Sequence, residues 1–189
     1  MRLFFILFGF LMGSLPLSVW LGAWILRKDI RHYGDGNPGA TNVFRAGGWQ
    51  WGLLAYCLEI GKAALPVGLA AQVMGIQDAW LVPIALAPSI GHAFSPWLNF
   101  RGGKALATML GSWIGLTLWQ APLVILPALV IAFLLIRPEG WVVLLTCAVL
   151  AVWLAFFHPE AVLFAVLACQ VVLIVYRHMP DFRQLPRRR

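Results

Sequence analysis

The chain has 189 residues, 61% of them hydrophobic and only 11% charged, with mean hydropathy +0.84. Soluble domains carry about a quarter charged residues, so the composition excludes a soluble globular fold and indicates one integral membrane domain over residues 1–189. The net charge of +7 does not indicate nucleic acid, because the cations gather in connectors between apolar runs, where they report topology.

Cutting the chain at charges and Gly/Pro/Asn clusters predicts an all-α bundle of seven transmembrane helices. They fall at roughly 3–26, 51–75, 79–99, 104–118, 121–136, 140–157 and 160–176. The first is too long for a signal-peptide core and runs into Arg27 and Lys28 rather than a small-residue cleavage site, so it reads as a retained helix.

After it comes a polar stretch at 29–45, DIRHYGDGNPGATNVFR. Residues 34–42 pack three glycines, two asparagines and a threonine into nine positions. Glycines let backbone N–H groups turn toward a ligand, and Asn and Thr add neutral donors. Gly34, Gly36, Asn37, Gly39, Thr41 and Asn42 therefore form a candidate oxyanion cradle, closed by the cation of Arg45. The alternative is a turn-rich connector.

In the second helix, Glu59 and Lys62 lie three apart on one face. Intramembrane charges face a wet cavity or each other, so this pair is either self-neutralising or a substrate contact. His92 and Ser95 stand near the end of the third helix. Next come Arg101, Gly102, Gly103 and Lys104, a second Gly-rich cationic turn at a helix start, where N–H groups and the dipole favour an anion.

Cys57, Cys147 and Cys169 lie in apolar runs without metal-ligand spacing and read as packing residues; no metal or cofactor is implied. The tail at 177–189 carries His178 and Asp181, and its Arg187, Arg188 and Arg189 suit a juxtamembrane anchor to anionic lipid. His158 lies on the far face and receives no role.

Seven helices put the connectors at about 27–50, 99–104 and 137–140, and the tail, on one side. That side then holds Arg27, Lys28, Arg31, Arg45, Arg101, Lys104, Arg137, Arg177, Arg183, Arg187, Arg188 and Arg189. Only Arg2 falls opposite. The positive-inside rule then sets the N-terminus outside and the C-terminus in the cytoplasm. A rim that gathers Arg45, Arg101, Lys104 and Lys62 beside apolar helices suits a ligand with both a phosphate and an acyl chain. No nucleophile elbow, H-x4-D dyad or Walker motif is present, which argues against a covalent enzyme intermediate.

The blocks D-I-R-x-x-G-x-G-N-P-G-A-T-N-x-x-R, E-x-x-K-A-x-L-P-V, G-H-x-F-S-P-W-L-x-F-R-G-G-K-x-x-A-T, G-W and R-H-x-x-D run through nearly the whole chain. In this order and spacing they resemble the bacterial acyl-phosphate:glycerol-3-phosphate acyltransferases, the PlsY family. The resemblance implies seven helices in the bacterial inner membrane and three cytoplasmic motifs around the active site. It also implies transfer of an acyl group from acyl phosphate to the 1-hydroxyl of sn-glycerol 3-phosphate, giving lysophosphatidic acid and phosphate. Acyl phosphate, glycerol 3-phosphate and membrane lipid are the implied partners, without nucleic acid; the oligomeric state stays open.

On that resemblance Arg45 and Lys104 bind phosphates and neutralise the leaving group. Gly36, Asn37, Thr41 and Asn42 donate to oxyanions, and Gly102 and Gly103 admit the acyl phosphate to the backbone. His178 orients the acceptor hydroxyl or takes its proton, a task open also to a substrate phosphate oxygen. The chain departs from the pattern at Asp35 (family Ser), Ala105 (Gly), Val143 (Ser), Asp181 (Asn) and at 186–189, where a later Gly-x-Glu is replaced. Two other readings remain open: a diverged homologue with an altered acceptor or no activity, and an anion transporter.

Overall fold

The computed structural model describes residues 1–188. Its first apolar segment is α1 (Arg2–Ser14) followed by α2 (Leu17–Leu21), which runs on as a π-helical turn over Gly22–Leu26. The single helix expected over 3–26 is broken at Pro16. Proline lacks an N–H and pushes the preceding residue out of helical conformation, and Leu15 is extended at φ −61°, ψ 121°. The break leaves the Leu15 carbonyl and the Ser18 amide without helical partners.

Residues 27–50 are not one loop, as expected, because they contain α3 (Ala40–Gly47). Ala40, Val43 and Ala46 form its apolar stripe, buried against Leu21, Ile30 and Ala55. Gly48, at φ 85°, turns the chain into α4 (Trp49–Gly68), which ends in a π-helical segment, Leu69–Val73. α5 (Leu81–Ala93) stops short of the expected 99 and gives way to a 3-10 turn, Pro96–Leu98. The remaining helices, α6 (Leu106–Thr117), α7 (Gln120–Leu135), α8 (Glu139–Phe157) and α9 (Ala161–Arg177), match the expected segments to within about two residues.

Four segments, Arg2–Leu26, Trp49–Val73, Leu81–Leu98 and Glu139–Phe157, are long and apolar enough to cross a membrane, and α6, α7 and α9 are shorter apolar helices. The outer surface carries exposed Leu7, Trp24, Leu53, Leu123 and Phe156, an apolar coat that needs lipid. Cys57 and Cys169 lie on that surface rather than in the packing expected of them, and Cys147 is half-buried.

Close helix contacts rest on small residues, as in other membrane bundles. A Cβ on Gly91 of α5 would lie 2.2 Å from the Phe10 carbonyl of α1, and one on Gly111 of α6 would lie 2.2 Å from the Ile60 carbonyl of α4. The connector before α8 forms β1 (Ile136–Arg137), which pairs antiparallel with β2 (Arg187–Arg188). The tail expected to anchor to lipid therefore folds back over the rim at Arg187; Arg189, assigned to the same anchor, lies outside the described residues.

These contacts predict opposite outcomes for one methyl group. Gly91→Ala should destabilise the purified protein by about 1–3 kcal/mol through overpacking. Gly61, an exposed helical position with open space around it, should gain up to about 1 kcal/mol as Gly61→Ala. Thermal unfolding in detergent should show Tm falling for the first and rising for the second.

Candidate active site

Two cavities meet at the rim where residues 34–45, 101–104, 137–140 and the tail converge. The first, about 440 Å³, runs down between α4, α6, α7, α8 and α9. Its body is apolar, with Leu106, Leu110, Trp113, Ile125 and Leu150 in its walls. The second, about 450 Å³, is a shallow polar basin lined by Gly34, Arg137, Glu139, Asp181, Gln184 and Arg187 among others. Asp35, Arg45, Lys104 and Glu139 line both.

At this junction an anion already lies between two cations. The Lys104 ammonium is 3.1 Å from Asp35 Oδ2 and 3.3 Å from Glu139 Oε2, and Arg45 Nη1 is 3.8 Å from Asp35 Oδ1. Burial pushes the Asp35 carboxyl up, but the Lys104 hydrogen bond and charge, with the Asn37 and Asn42 donors, outweigh it and hold the pKa below 3.8. Burial pulls the Lys104 ammonium down, and Asp35 and Glu139 overcome it, so the pKa lies above 10.5. The pair is fully ionised at neutral pH.

Local structure explains each placement. Arg45 Nη1 donates to Asn42 Oδ1 at 2.9 Å and lies against Gly34, where a Cβ would sit 1.8 Å away and φ is +58°. Asn37 N–H donates to Asp35 Oδ1, an Asx turn that aims the carboxylate at the junction. Ala105, where the family carries Gly, caps α6 at φ 64°. The left-handed conformation explains the glycine and costs alanine about 1 kcal/mol.

Several expected donors are engaged elsewhere. Asn42 is buried, and its Nδ2 donates to Asp35 Oδ1 and to the Asn37 carbonyl, so it builds the cradle rather than binding through it. Gly36 N–H donates to Tyr33 O and Gly39 N–H to Asn37 O. Thr41 Oγ1 is 2.7 Å from the Tyr56 hydroxyl. Asn37, Gly39 and Thr41 still line the apolar cavity at its polar mouth, and the Asn37 side-chain amide has no partner among the described residues.

Gly102 and Gly103 were expected to offer their amides to a ligand; instead they donate to the Ala93 and His92 carbonyls. Their lack of a side chain serves packing, since a Cβ on Gly103 would lie 2.2 Å from His92 Nε2. Arg101 is exposed and lines neither cavity. Ser95 is buried and donates to the Ser14 carbonyl.

Lys62 and His92 belong to a buried network. Lys62 Nζ is 2.6 Å from Glu59 Oε2 and 2.7 Å from the Leu15 carbonyl. Glu59 Oε1 accepts from Ser18 N–H and Oγ, and Glu59 Oε2 is 3.1 Å from His92 Nδ1. Lys62 thus satisfies the broken first helix and does not line a cavity, whereas Glu59 and His92 do.

His178 reaches neither cavity. It is 1% exposed, its Nδ1 is 2.8 Å from Asp181 Oδ2, and burial, more than the opposing carboxylate, holds its pKa below 6.5. The enclosed imidazole holds the Asp181 carboxylate and does not face either cavity, where it was expected to orient the acceptor hydroxyl or take its proton. Asp181 accepts from Gly140 N–H at 3.0 Å, which caps α8 and places its carboxylate on the basin wall. Arg137, Glu139, Gln184 and Arg187 were not singled out for the site, and all four line the basin.

The Asp35–Lys104 pair should survive until pH falls through the depressed carboxyl midpoint, below 3.8. Carbon-13 titration of labelled aspartate in detergent should give that midpoint, and Lys104→Met, which removes the ammonium but leaves the burial, should move it upward. A native midpoint at or above 3.8 would contradict the pairing.

A family model described as glycerol-3-phosphate acyltransferase matches residues 3–188. A glycerol-3-phosphate acyltransferase of Anaeromyxobacter dehalogenans is 44% identical over 116 residues, which cover 60% of this chain and 58% of that protein's length. One from Pseudomonas paraeruginosa is 36% identical over 182 residues, covering 94% of this chain and 92% of that one. A crystal structure described as PlsY (YgiH), an integral membrane glycerol 3-phosphate acyltransferase in its glycerol 3-phosphate form, superposes with TM-score 0.86 at 28% identity, covering 96% and 90% of the two chains. The cavities, the motifs and these matches together make the chain a member of the glycerol-3-phosphate acyltransferase family.

Proposed function

We propose that the chain transfers a fatty acyl group from acyl phosphate to the 1-hydroxyl of sn-glycerol 3-phosphate, releasing lysophosphatidic acid and phosphate. The observation that carries this reading is the meeting of an apolar cavity and a polar basin at one doubly cationic point, Arg45 and Lys104 across Asp35. The acyl tail occupies the apolar cavity, its phosphate replaces or joins Asp35 between the two cations, and the polar acceptor enters through the basin. The related PlsY structures, described in glycerol 3-phosphate and lysophosphatidic acid forms, support the same assignment.

The chemistry asks little of the protein beyond positioning and charge, because a mixed anhydride is already activated. The acceptor oxygen bonds to the acyl carbon, the carbon–oxygen bond to phosphate breaks, and Arg45 and Lys104 take up the charge of the departing oxygen. The acceptor's proton passes to an oxygen of the leaving phosphate. His178 is enclosed, and the depressed pKa of Asp35 makes that carboxylate a poor base.

The same reading makes residues 1–189 one domain with seven crossings of the bacterial inner membrane, N-terminus outside and site facing the cytoplasm. The four long spans, the three shorter apolar helices and the gathering of cations at one rim support it.

Purified protein with palmitoyl phosphate and glycerol 3-phosphate should release phosphate and form lysophosphatidic acid. Lys104→Ala or Arg45→Ala should lower kcat/KM by about 10²–10³. No turnover from well-folded protein would turn the reading to a non-catalytic homologue, and labelled phosphate uptake into proteoliposomes without acylation would turn it to a transporter.

A further inference from the structure

The wall of the apolar cavity carries hydrogen-bonding side chains at one level well below the rim. Trp113 lies about two turns from Leu106 at the start of α6, Thr146 about two turns from Glu139 at the start of α8, and Gln170 about two turns from Arg177 at the end of α9. All three line the cavity. Those helix ends share the rim, because Lys104 is 3.3 Å from Glu139 and Arg177 donates to the Gly102 carbonyl. At 1.5 Å per residue the shared level is about 10 Å down. Around it the same helices line the cavity with apolar side chains such as Met109, Leu110, Val143, Leu150 and Ile174.

One donor at that level is spare. Trp113 Nε1 donates to Gln170 Oε1 at 2.7 Å. An indole N–H can only donate, so the amide must meet it with its oxygen, and its NH2 group points elsewhere. Gln170 is 2% exposed, yet its Nε2 has no hydrogen-bonding partner among the described residues. Thr146 gives its hydroxyl proton to the Val142 carbonyl, which leaves its oxygen free to accept. Joining α6 to α9 needs only the bond that Trp113 makes, and an unpaired buried amide donor is costly.

We propose that Gln170 selects the acyl chain: its Nε2 donates to an oxygen carried in mid-chain, with Thr146 accepting the proton of that hydroxyl, so the preferred donor is a hydroxylated acyl phosphate. This rests on the acyl-transfer reading for the entry of the chain into the cavity. Bonds of about 1.5 Å at about 111° advance an extended chain by about 1.3 Å per carbon, which puts the hydroxyl about eight carbons from the reacting carbonyl. A plain chain in the same place leaves the amide unpaired, and a site built to bond a hydroxyl discriminates against the chain that lacks one.

Full-length protein in detergent should be given acyl phosphates of one length, either plain or with a single hydroxyl about eight carbons from the carbonyl, beside the carbonyl, or at the chain end. The three isomers carry the same polar group, so a difference among them reports where it lands. Phosphate release with glycerol 3-phosphate should show kcat/KM about ten-fold higher for the mid-chain isomer than for the plain chain and the other isomers, and displacement of radiolabelled palmitoyl phosphate should give the same order. Gln170→Met, which removes the donor and keeps the length of the side chain, should bring the mid-chain isomer down to the level of the other two. Should that variant fail to fold, the order of the isomers on wild type decides. Ordered displacement without turnover would sink the reaction and keep the subsite, whereas turnover at equal kcat/KM for every chain would keep the reaction and overturn the subsite. A preference that survives in Gln170→Met would overturn the proposal, and failure of every chain to displace the label would overturn both.

Discussion

The Glu59 carboxylate is the contact on which the rest of the site depends. A buried carboxylate and ammonium are costly unless both are paired and hydrogen-bonded, and here they pair with each other while the break in the first span supplies each with a backbone partner. Pro16 breaks the first span and leaves the Leu15 carbonyl and the Ser18 amide without helical partners; Lys62 donates to the first, beside Leu17 N–H, and Glu59 accepts from the second. The pair therefore sutures α1, α2 and α4. Through His92 it also reaches α5, and the His92 and Ala93 carbonyls hold the amides of Gly103 and Gly102. Lys104 is thus presented from a loop seated on a buried ionic network rather than from a free turn.

That arrangement accommodates a carboxylate at position 35. Asp35 is held by two cations and two amide donors, so its carboxylate draws Arg45 and Lys104 toward one point. Displacing it leaves two oriented cations and a cradle already folded around Asn42.

Much of this was legible from residue order. The apolar segments after position 104 emerge within a residue or two, because hydropathy and cationic connectors act over the length of a helix. The meeting of the 34–45 and 101–104 regions follows from their shared side. What stayed hidden has a physical cause in each case. The break at Pro16 lies in an apolar run where hydropathy does not change. The stripe of Ala40, Val43 and Ala46 is only two turns long and is masked by flanking glycines. A glycine signals the need to omit a Cβ, but not whether a ligand or a neighbouring carbonyl fills the space, and so Gly102 and Gly103 look like a cradle. His178 is enclosed and Arg187 lines the basin because burial of one side chain and the pairing of a two-residue strand depend on long-range contacts that carry no local pattern.

The apolar cavity shares its wall with the outside of the bundle. Leu53 and Leu126 line it and are also exposed on the apolar coat. Drawing a fatty tail into water costs about 0.8 kcal/mol for each methylene, so a tail that can slip sideways between α4 and α7 avoids most of that barrier. The basin is lined by charged and polar side chains instead, so an apolar approach and a charged one meet at Arg45 and Lys104.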